Sequence, residues 1–229
     1  MPVIAIVSPK GGVGKTTTAT LLASQLAQQA DVVVDADPNR PVATWAKLPG
    51  CPARLRVVSD NVTQDTIMDH IAEAAAEVPF VVVDCEGTAS LTVAYAIGEA
   101  DLVIVPTQGS HLDAQQAVRA LGLVKNQERM SRRTIPHAIL YTRTNPAIKP
   151  RTLSHIQSQL EGFGVKLFKT ELNEREAFRA MFSFGGALQD LDATKVGGLA
   201  KAIDNAQRFM AETIAMLKEA KAKRAEEAA

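Results

Sequence analysis

"SPKGGVGKTT", Ser8 to Thr17, follows directly on the apolar run "VIAIV" and sets two lysines, Lys10 and Lys15, around Gly11, Gly12 and Gly14. A strand, a glycine-rich turn and a helix opening on Gly-Lys-Thr form the arrangement that binds nucleotide phosphates. Glycines let backbone N–H groups turn inward toward an anion, and the helix N-terminus adds its dipole. Lys15 is then expected to reach the β- and γ-phosphates and the Thr16 hydroxyl to ligate Mg²⁺, with Gly11, Gly12, Val13, Gly14 and Thr17 completing the cradle. The usual G-x-x-x-x-G-K-[ST] spacing would put its first glycine where Pro9 stands. The strict pattern fails by that one position, and Lys10 is left to be explained.

Outward from this stretch, short apolar runs recur: Val3 to Val7, Val32 to Val34, Phe80 to Val83, Leu102 to Val105, Ala138 to Tyr141 and Val165 to Phe168. Helical patterns separate them, at about Lys15 to Gln29, Val62 to Glu77, Ala89 to Glu99, Asp113 to Glu128 and Arg151 to Glu161, with a shorter one at Glu174 to Met181. Near-continuous apolar strands alternating with helices predict an α/β fold of the P-loop kind. Its sheet should be doubly wound and mostly parallel, with helices on both faces. A last helix is expected from about Lys195 toward Arg224, with Leu199, Ile203, Ala206, Met210, Ile214 and Leu217 as one apolar stripe. The final "KEAKAKRAEEAA" loses that stripe and is expected to fray.

The chain of 229 residues suits one such domain, 1–229. No apolar run approaches the roughly 20 residues that cross a bilayer. The start reads as a first strand rather than a signal peptide, and the two cysteines, Cys51 and Cys85, offer neither a disulfide framework nor a zinc pattern. A cytoplasmic location is the expectation. His70, His111, His137 and His155 have no mutual metal-ligand spacing. The net charge of zero hides a polarity: residues 1–116 carry 6 Lys and Arg against 13 Asp and Glu, and residues 117–229 carry 19 against 12. A chain so divided can present a basic face to a polyanion.

The variant loop "KGGVGKTT", Lys10 to Thr17, resembles that of the ParA/MinD family of deviant Walker A ATPases. The resemblance implies that Lys10 crosses the interface of an ATP-dependent homodimer to touch the partner subunit's ATP, while Lys15 serves the chain's own nucleotide. "VVVDADPNRP" is similar to the family's D-x-D-P segment, so Asp37 inherits the role beside the attacking water and on the Mg²⁺ side. "FVVVDCEG" resembles the Walker B strand, which makes Asp84 the water-mediated Mg²⁺ ligand. The family more often continues Thr-Pro-Pro there, which leaves Glu86 without an assigned role. "IVPTQGSHLD", Ile104 to Asp113, resembles a segment lining the dimer interface. "LYTRTNP" sits where family members recognise adenine, with Thr142, Arg143 and Asn145 as candidates.

Asp35 to Trp45 and "NEREAF", Asn173 to Phe178, look closest to small partition ATPases without an N-terminal DNA-binding domain, and to the ParA-like accessory ATPase of conjugative T-DNA transfer. With the loop starting at residue 10, built-in operator binding is not expected. Non-specific DNA binding is, because a few Lys or Arg contacts to phosphate suffice for weak affinity. The stretch from Arg119 to Arg151 is strongly basic, and Arg175, Arg179, Lys195, Lys201 and Arg208 are further DNA candidates. The expected partners are a ParB-like centromere-binding adaptor or a relaxosome protein. A MinD-like membrane cycle would want an apolar terminal helix where this tail has alanines. A P-loop metabolic ligase would not need Lys10, and an iron-sulfur carrier would need two well-placed cysteines.

Overall fold

The computed structural model describes residues 1–27, 31–148 and 150–227. Seven strands, β1 (Val3–Ile6), β2 (Asp31–Ala36), β3 (Leu55–Val58), β4 (Val81–Cys85), β5 (Leu102–Thr107), β6 (His137–Thr144) and β7 (Leu172–Asn173), form a sheet of order β3-β2-β4-β1-β5-β6-β7. Every pairing in it is parallel. Parallel neighbours need crossovers, and the helices supply them: α1 (Lys15–Leu26), α2 (Pro41–Ala46), α3 (Ile67–Glu77), α4 (Leu91–Glu99), α5 (His111–Ser131), α6 (Arg151–Gly162), α7 (Glu176–Phe184) and α8 (Leu199–Glu227).

Period-two alternation along β1 divides the core. Ile4 and Ile6 enter one hydrophobic cluster with α1, α2, α7 and α8, while Val3 and Ala5 enter the other with α3, α4, α5 and α6. Both faces are therefore covered, which is why these strands read as unbroken apolar runs.

Several boundaries differ from the sequence expectation. β3 and α2 are additional elements, and β3 alternates buried Leu55 with exposed Arg56, the pattern of an edge strand. Val165 to Phe168 forms only an isolated bridge, Leu167 to Ile139, and the neighbouring strand is the short β7. α3 starts at Ile67 because Asn61 to Thr66 folds into a turn held by the Thr66 hydroxyl. Gln28, Gln29 and Lys149 lie outside the described residues. The stripe of α8 is centred on Ala202, Ala206, Phe209, Thr213 and Met216, with Ile203, Met210 and Ile214 half-buried at its margin. Asn205, buried on the same face, ties β7 to α8 by accepting from Asn173 N at 3.0 Å and donating to Glu171 O at 2.8 Å. The end of α8 does not fray before Glu227, and Arg224 pairs with Asp101 at 2.6 Å.

Candidate nucleotide site

The C-terminal ends of β1, β2 and β4 lie side by side, Ile6 opposite Asp84 and Asp84 opposite Asp35. Ligands bind at this edge of open α/β sheets, where loops leave adjacent strands in different directions. The loop after β1 turns through Gly12 (φ 76°) and Gly14 (φ 94°), backbone angles that strain any residue with a Cβ. Gly14 caps α1, whose first turn holds no acidic side chain, so the positive end of its dipole is left for an anion.

Lys15 lies folded under the loop, its Nζ donating to Lys10 O at 3.1 Å. Burial pushes its pKa down, and the carboxylates of Asp84 and Asp37 oppose that. Asp84 is fully buried, and no donor reaches either carboxylate oxygen with good geometry. Burial raises its pKa to about 7, which the nearby Thr16 hydroxyl opposes and the Asp35 and Asp37 charges reinforce. An orphaned buried carboxylate beside a threonine hydroxyl is a hard, all-oxygen donor set that fits Mg²⁺. Among the described residues no group of three His, Cys, Asp or Glu could cage a metal alone. That suits an ion completed by phosphates and water.

Asp37 is half-buried on the loop after β2, and its Oδ1 accepts from Asn39 N at 2.9 Å and Asn39 Nδ2 at 3.0 Å. Asp35 reaches forward to cap α2, accepting from Ala43 N at 2.9 Å, so this loop is pinned at both ends. α2 carries Trp45, fully buried behind it. Gly87 leans on the phosphate loop, with room for a Cβ only 3.2 Å from Lys15 Nζ. The Cys85 thiol is pushed far up by burial, which leaves it inert near neutral pH.

Lys10 lies apart from this cradle. Its amine pairs with Asp113, whose side chain is 4% exposed against 40% for that of Lys10. Asp113 is itself fixed by a capping box at the start of α5, with Ser110 Oγ donating to it at 2.5 Å. The "IVPTQGSHLD" segment thus lies against the loop, and Gln108 Nε2 also donates to Gly12 O at 3.2 Å.

Beside α1 a pocket is lined by Thr17, Thr142, Arg143, Asn173, Arg175 and Phe178 among others. Thr142 holds the loop in place, donating to Val13 O at 2.7 Å. Asn145 is not among the lining residues; exposed, it closes a local turn by accepting from Ala147 N at 2.9 Å. Asn173 takes the inner position, accepting from Arg175 Nη2 at 3.1 Å. The stretch "NEREAF" contains these residues, but nothing in its pattern shows that the short β7 carries them here. Of the DNA candidates, Arg175 thus faces the pocket, Arg179 pairs with Glu174 and Glu176, Lys195 with Asp192, and Arg208 with Asp204. Lys201 is exposed on α8.

Fold and site together define a P-loop nucleotide-binding protein of the ParA/MinD kind, with the second lysine of the deviant loop. The chain belongs to the VirC1 protein family, whose family model matches residues 1–222, and it is a small ParA-like ATPase. It is 38% identical over 211 residues to Protein ParA of Rhizobium radiobacter, covering 91% of this chain and 94% of that one. Maintenance of carboxysome distribution protein A of Halothiobacillus neapolitanus is 25% identical over 181 residues, 77% of this chain and 81% of that one. In fold it is similar to an ATP complex of a Cyanothece McdA variant, with a TM-score of 0.68, 17% identity, and 96% of each chain covered. No helix among the described residues is long and apolar enough to cross a membrane.

Proposed function

We propose that this chain is an ATPase domain that dimerises around ATP, binds DNA without sequence preference in that state, and positions a plasmid or chromosomal cargo. Slow hydrolysis, accelerated by a ParB-like adaptor, returns it to monomer. Its setting is the cytoplasm, on the nucleoid when ATP-bound. Lys15 and the backbone of Gly11 to Thr17 hold the phosphates. Thr16, Asp37 and Asp84 hold Mg²⁺, which supplies charge neutralisation at the phosphates. Asp37 orients the attacking water, a task of positioning more than of proton abstraction. Thr142 and Arg143 line the side of the pocket where adenine belongs.

The observation that carries this reading is the division of labour between the two lysines. Lys15 is buried in its own loop, whereas Lys10 is half-exposed at the loop's outer edge and bound to a side chain rather than aimed into the cradle. ATP then biases one of two states, monomer or dimer, through differential affinity. Light scattering with ATP, ADP or no nucleotide tests it. Wild type should dimerise only with ATP, and Lys10→Ala should bind ATP but stay monomeric. Dimerisation of Lys10→Ala at wild-type affinity would refute the trans role.

A second reading keeps the cycle and changes the cargo to a conjugative relaxosome; Asp35 to Trp45 and Asn173 to Phe178 resemble the accessory ATPase of conjugative T-DNA transfer as well as small partition ATPases. Relatives named for chromosome partitioning and for carboxysome distribution already differ in cargo. Co-purification with a relaxase rather than a centromere-binding adaptor would decide for it.

A further inference from the structure

Of the single arginines and lysines expected on DNA beyond the basic stretch, Arg179, Lys195 and Arg208 are paired with neighbouring carboxylates and Arg175 faces the nucleotide pocket. Part of the basic stretch from Arg119 to Arg151 lies instead at the opposite edge of the sheet, where the strands begin. Lys125, Arg129 and Arg132, four and three residues apart, stand exposed at the end of α5 and line a cleft with Glu128, Arg133 and Thr134. None of the three enters an ion pair among the described residues, and Glu128 between them is occupied in accepting from Ile135 N at 2.8 Å. Lys218 and Lys221, exposed on the last turns of α8, form a second set that is likewise without an ion pair among the described residues.

Two further arginines bring these sets to one place. Arg133 donates to the carbonyls of Gly98 and Ala100, and Arg224 pairs with Asp101 at 2.6 Å. Both helix ends therefore flank the same turn between α4 and β5. Glu99 and Glu226 are the exposed carboxylates nearby in sequence, while Glu219 is held by Lys166 at 2.7 Å.

We propose that this edge is the face that meets duplex DNA, with Lys125, Arg129, Arg132, Lys218 and Lys221 neutralising phosphates. Successive cations one helical turn apart stand about 5–6 Å from each other, a spacing that long side chains can fit to a phosphate backbone. A lipid surface fits less well, because the end of α8 exposes Ala222 and Ala225, and Met1 and Met130 are isolated apolar side chains among the cations rather than a continuous apolar face. The proposal rests on the ATP-dependent dimer proposed above and adds a feature of its own. Five or six strand residues separate this edge from the phosphate loop, roughly 20 Å. A dimer closed over the phosphate loops therefore carries its two copies of this face pointing away from each other, so that ATP lets one dimer engage two separate stretches of DNA, an avidity gain that a long duplex shows and a short one does not.

Fluorescence anisotropy with a labelled random-sequence duplex, across salt and with or without ATP, tests this. Lys125→Ala/Arg129→Ala/Arg132→Ala and Lys218→Ala/Lys221→Ala should each weaken binding about tenfold or more. The slope of log affinity on log salt should fall by roughly 0.9 for each phosphate that is no longer neutralised. Lys195→Ala/Arg208→Ala should bind as wild type does, and monomeric Lys10→Ala should keep weak binding that the triple variant lacks. Circular dichroism identifies any variant that misfolds, in which case Lys125→Glu or Arg129→Glu alone gives the same reading. If wild type binds and the edge variants bind equally well, this face is refuted while the DNA-carrier reading stands. If wild type with ATP binds no duplex, both fall. Edge-dependent binding to phosphatidylglycerol/phosphatidylethanolamine vesicles without edge-dependent DNA binding would overturn it in favour of a membrane.

Discussion

Replacing Asp113 by asparagine should make the dimer tighter. Lys10 must leave Asp113 if it is to reach a partner's nucleotide, so whatever the pair contributes in the single chain opposes association. Burial works against ionisation of Asp113, but the bonds from Lys10 and Ser110 outweigh it and hold its carboxyl below the usual range. A sheltered charge-assisted hydrogen bond contributes about 1.5–3 kcal/mol and an exposed pair about 0–1 kcal/mol. With its lysine half in solvent, this pair is worth about 1 kcal/mol, or about 2 kcal/mol for the two protomers of a dimer. At about 1.4 kcal/mol per tenfold, Asp113→Asn should lower the dimer Kd by roughly 30-fold. Asparagine keeps the volume and an oxygen for the Ser110 cap. Ser110→Ala is the companion, removing the cap at about 1 kcal/mol of stability but leaving the charge. Sedimentation equilibrium with a non-hydrolysable ATP analogue reads both. An Asp113→Asn dimer no tighter than wild type would mean that Lys10 keeps its hold on Asp113 through association, and the reasoning would fail.

Asp84 predicts a pH dependence of the nucleotide-free chain. Its folded pKa of about 7 lies above the ordinary 3.8, so the folded state binds more protons than the unfolded between those values. Stability contributed by the protonated form is therefore lost as pH rises from about 4 through about 7. Asp84→Asn should flatten that slope, raising Tm at pH 8 and not at pH 4, and parallel Tm profiles would contradict it. Gly185→Ala should be severe, because at φ 82° its Cβ would stand 2.3 Å from Pro49 O and 2.7 Å from Leu48 Cβ. A cost of about 3 kcal/mol or more implies a Tm lower by about 6–12 °C. Gly197→Ala, with nothing within 4 Å of the added carbon, is the control, and calorimetry showing the two alike would refute the clash.

The phosphate loop and the two acidic strand ends were legible because each combines a local pattern with a fixed place on a strand. Sequence order and the rule that such sites gather where strands end bring Lys10, Lys15, Asp37 and Asp84 to one edge, while the separate roles of Lys10, Asp37 and Asp84 rest on the family resemblance. What stayed hidden depended on partners far along the chain. Asn173 lines the pocket because Asn205 of α8 holds β7 against β6, a bond across 32 residues that no periodicity encodes. β3 escapes a reading by pattern because Arg56 interrupts a four-residue strand that only β2 completes. The stretch from Arg119 to Arg151 was legible as basic, but its meeting with the end of α8 was not. Along the chain Lys125 and Lys221 are remote, and only Arg133 and Arg224 gripping one turn make them neighbours.

Trp45 is the chain's single tryptophan, 1% exposed, with its indole nitrogen unpaired, on the short helix that Asp35 fastens to the loop carrying Asp37. Its fluorescence is thus a built-in optical probe of that loop. An emission change on adding nucleotide would time the rearrangement around Asp37 in the unlabelled protein, separately from dimer formation and from DNA capture.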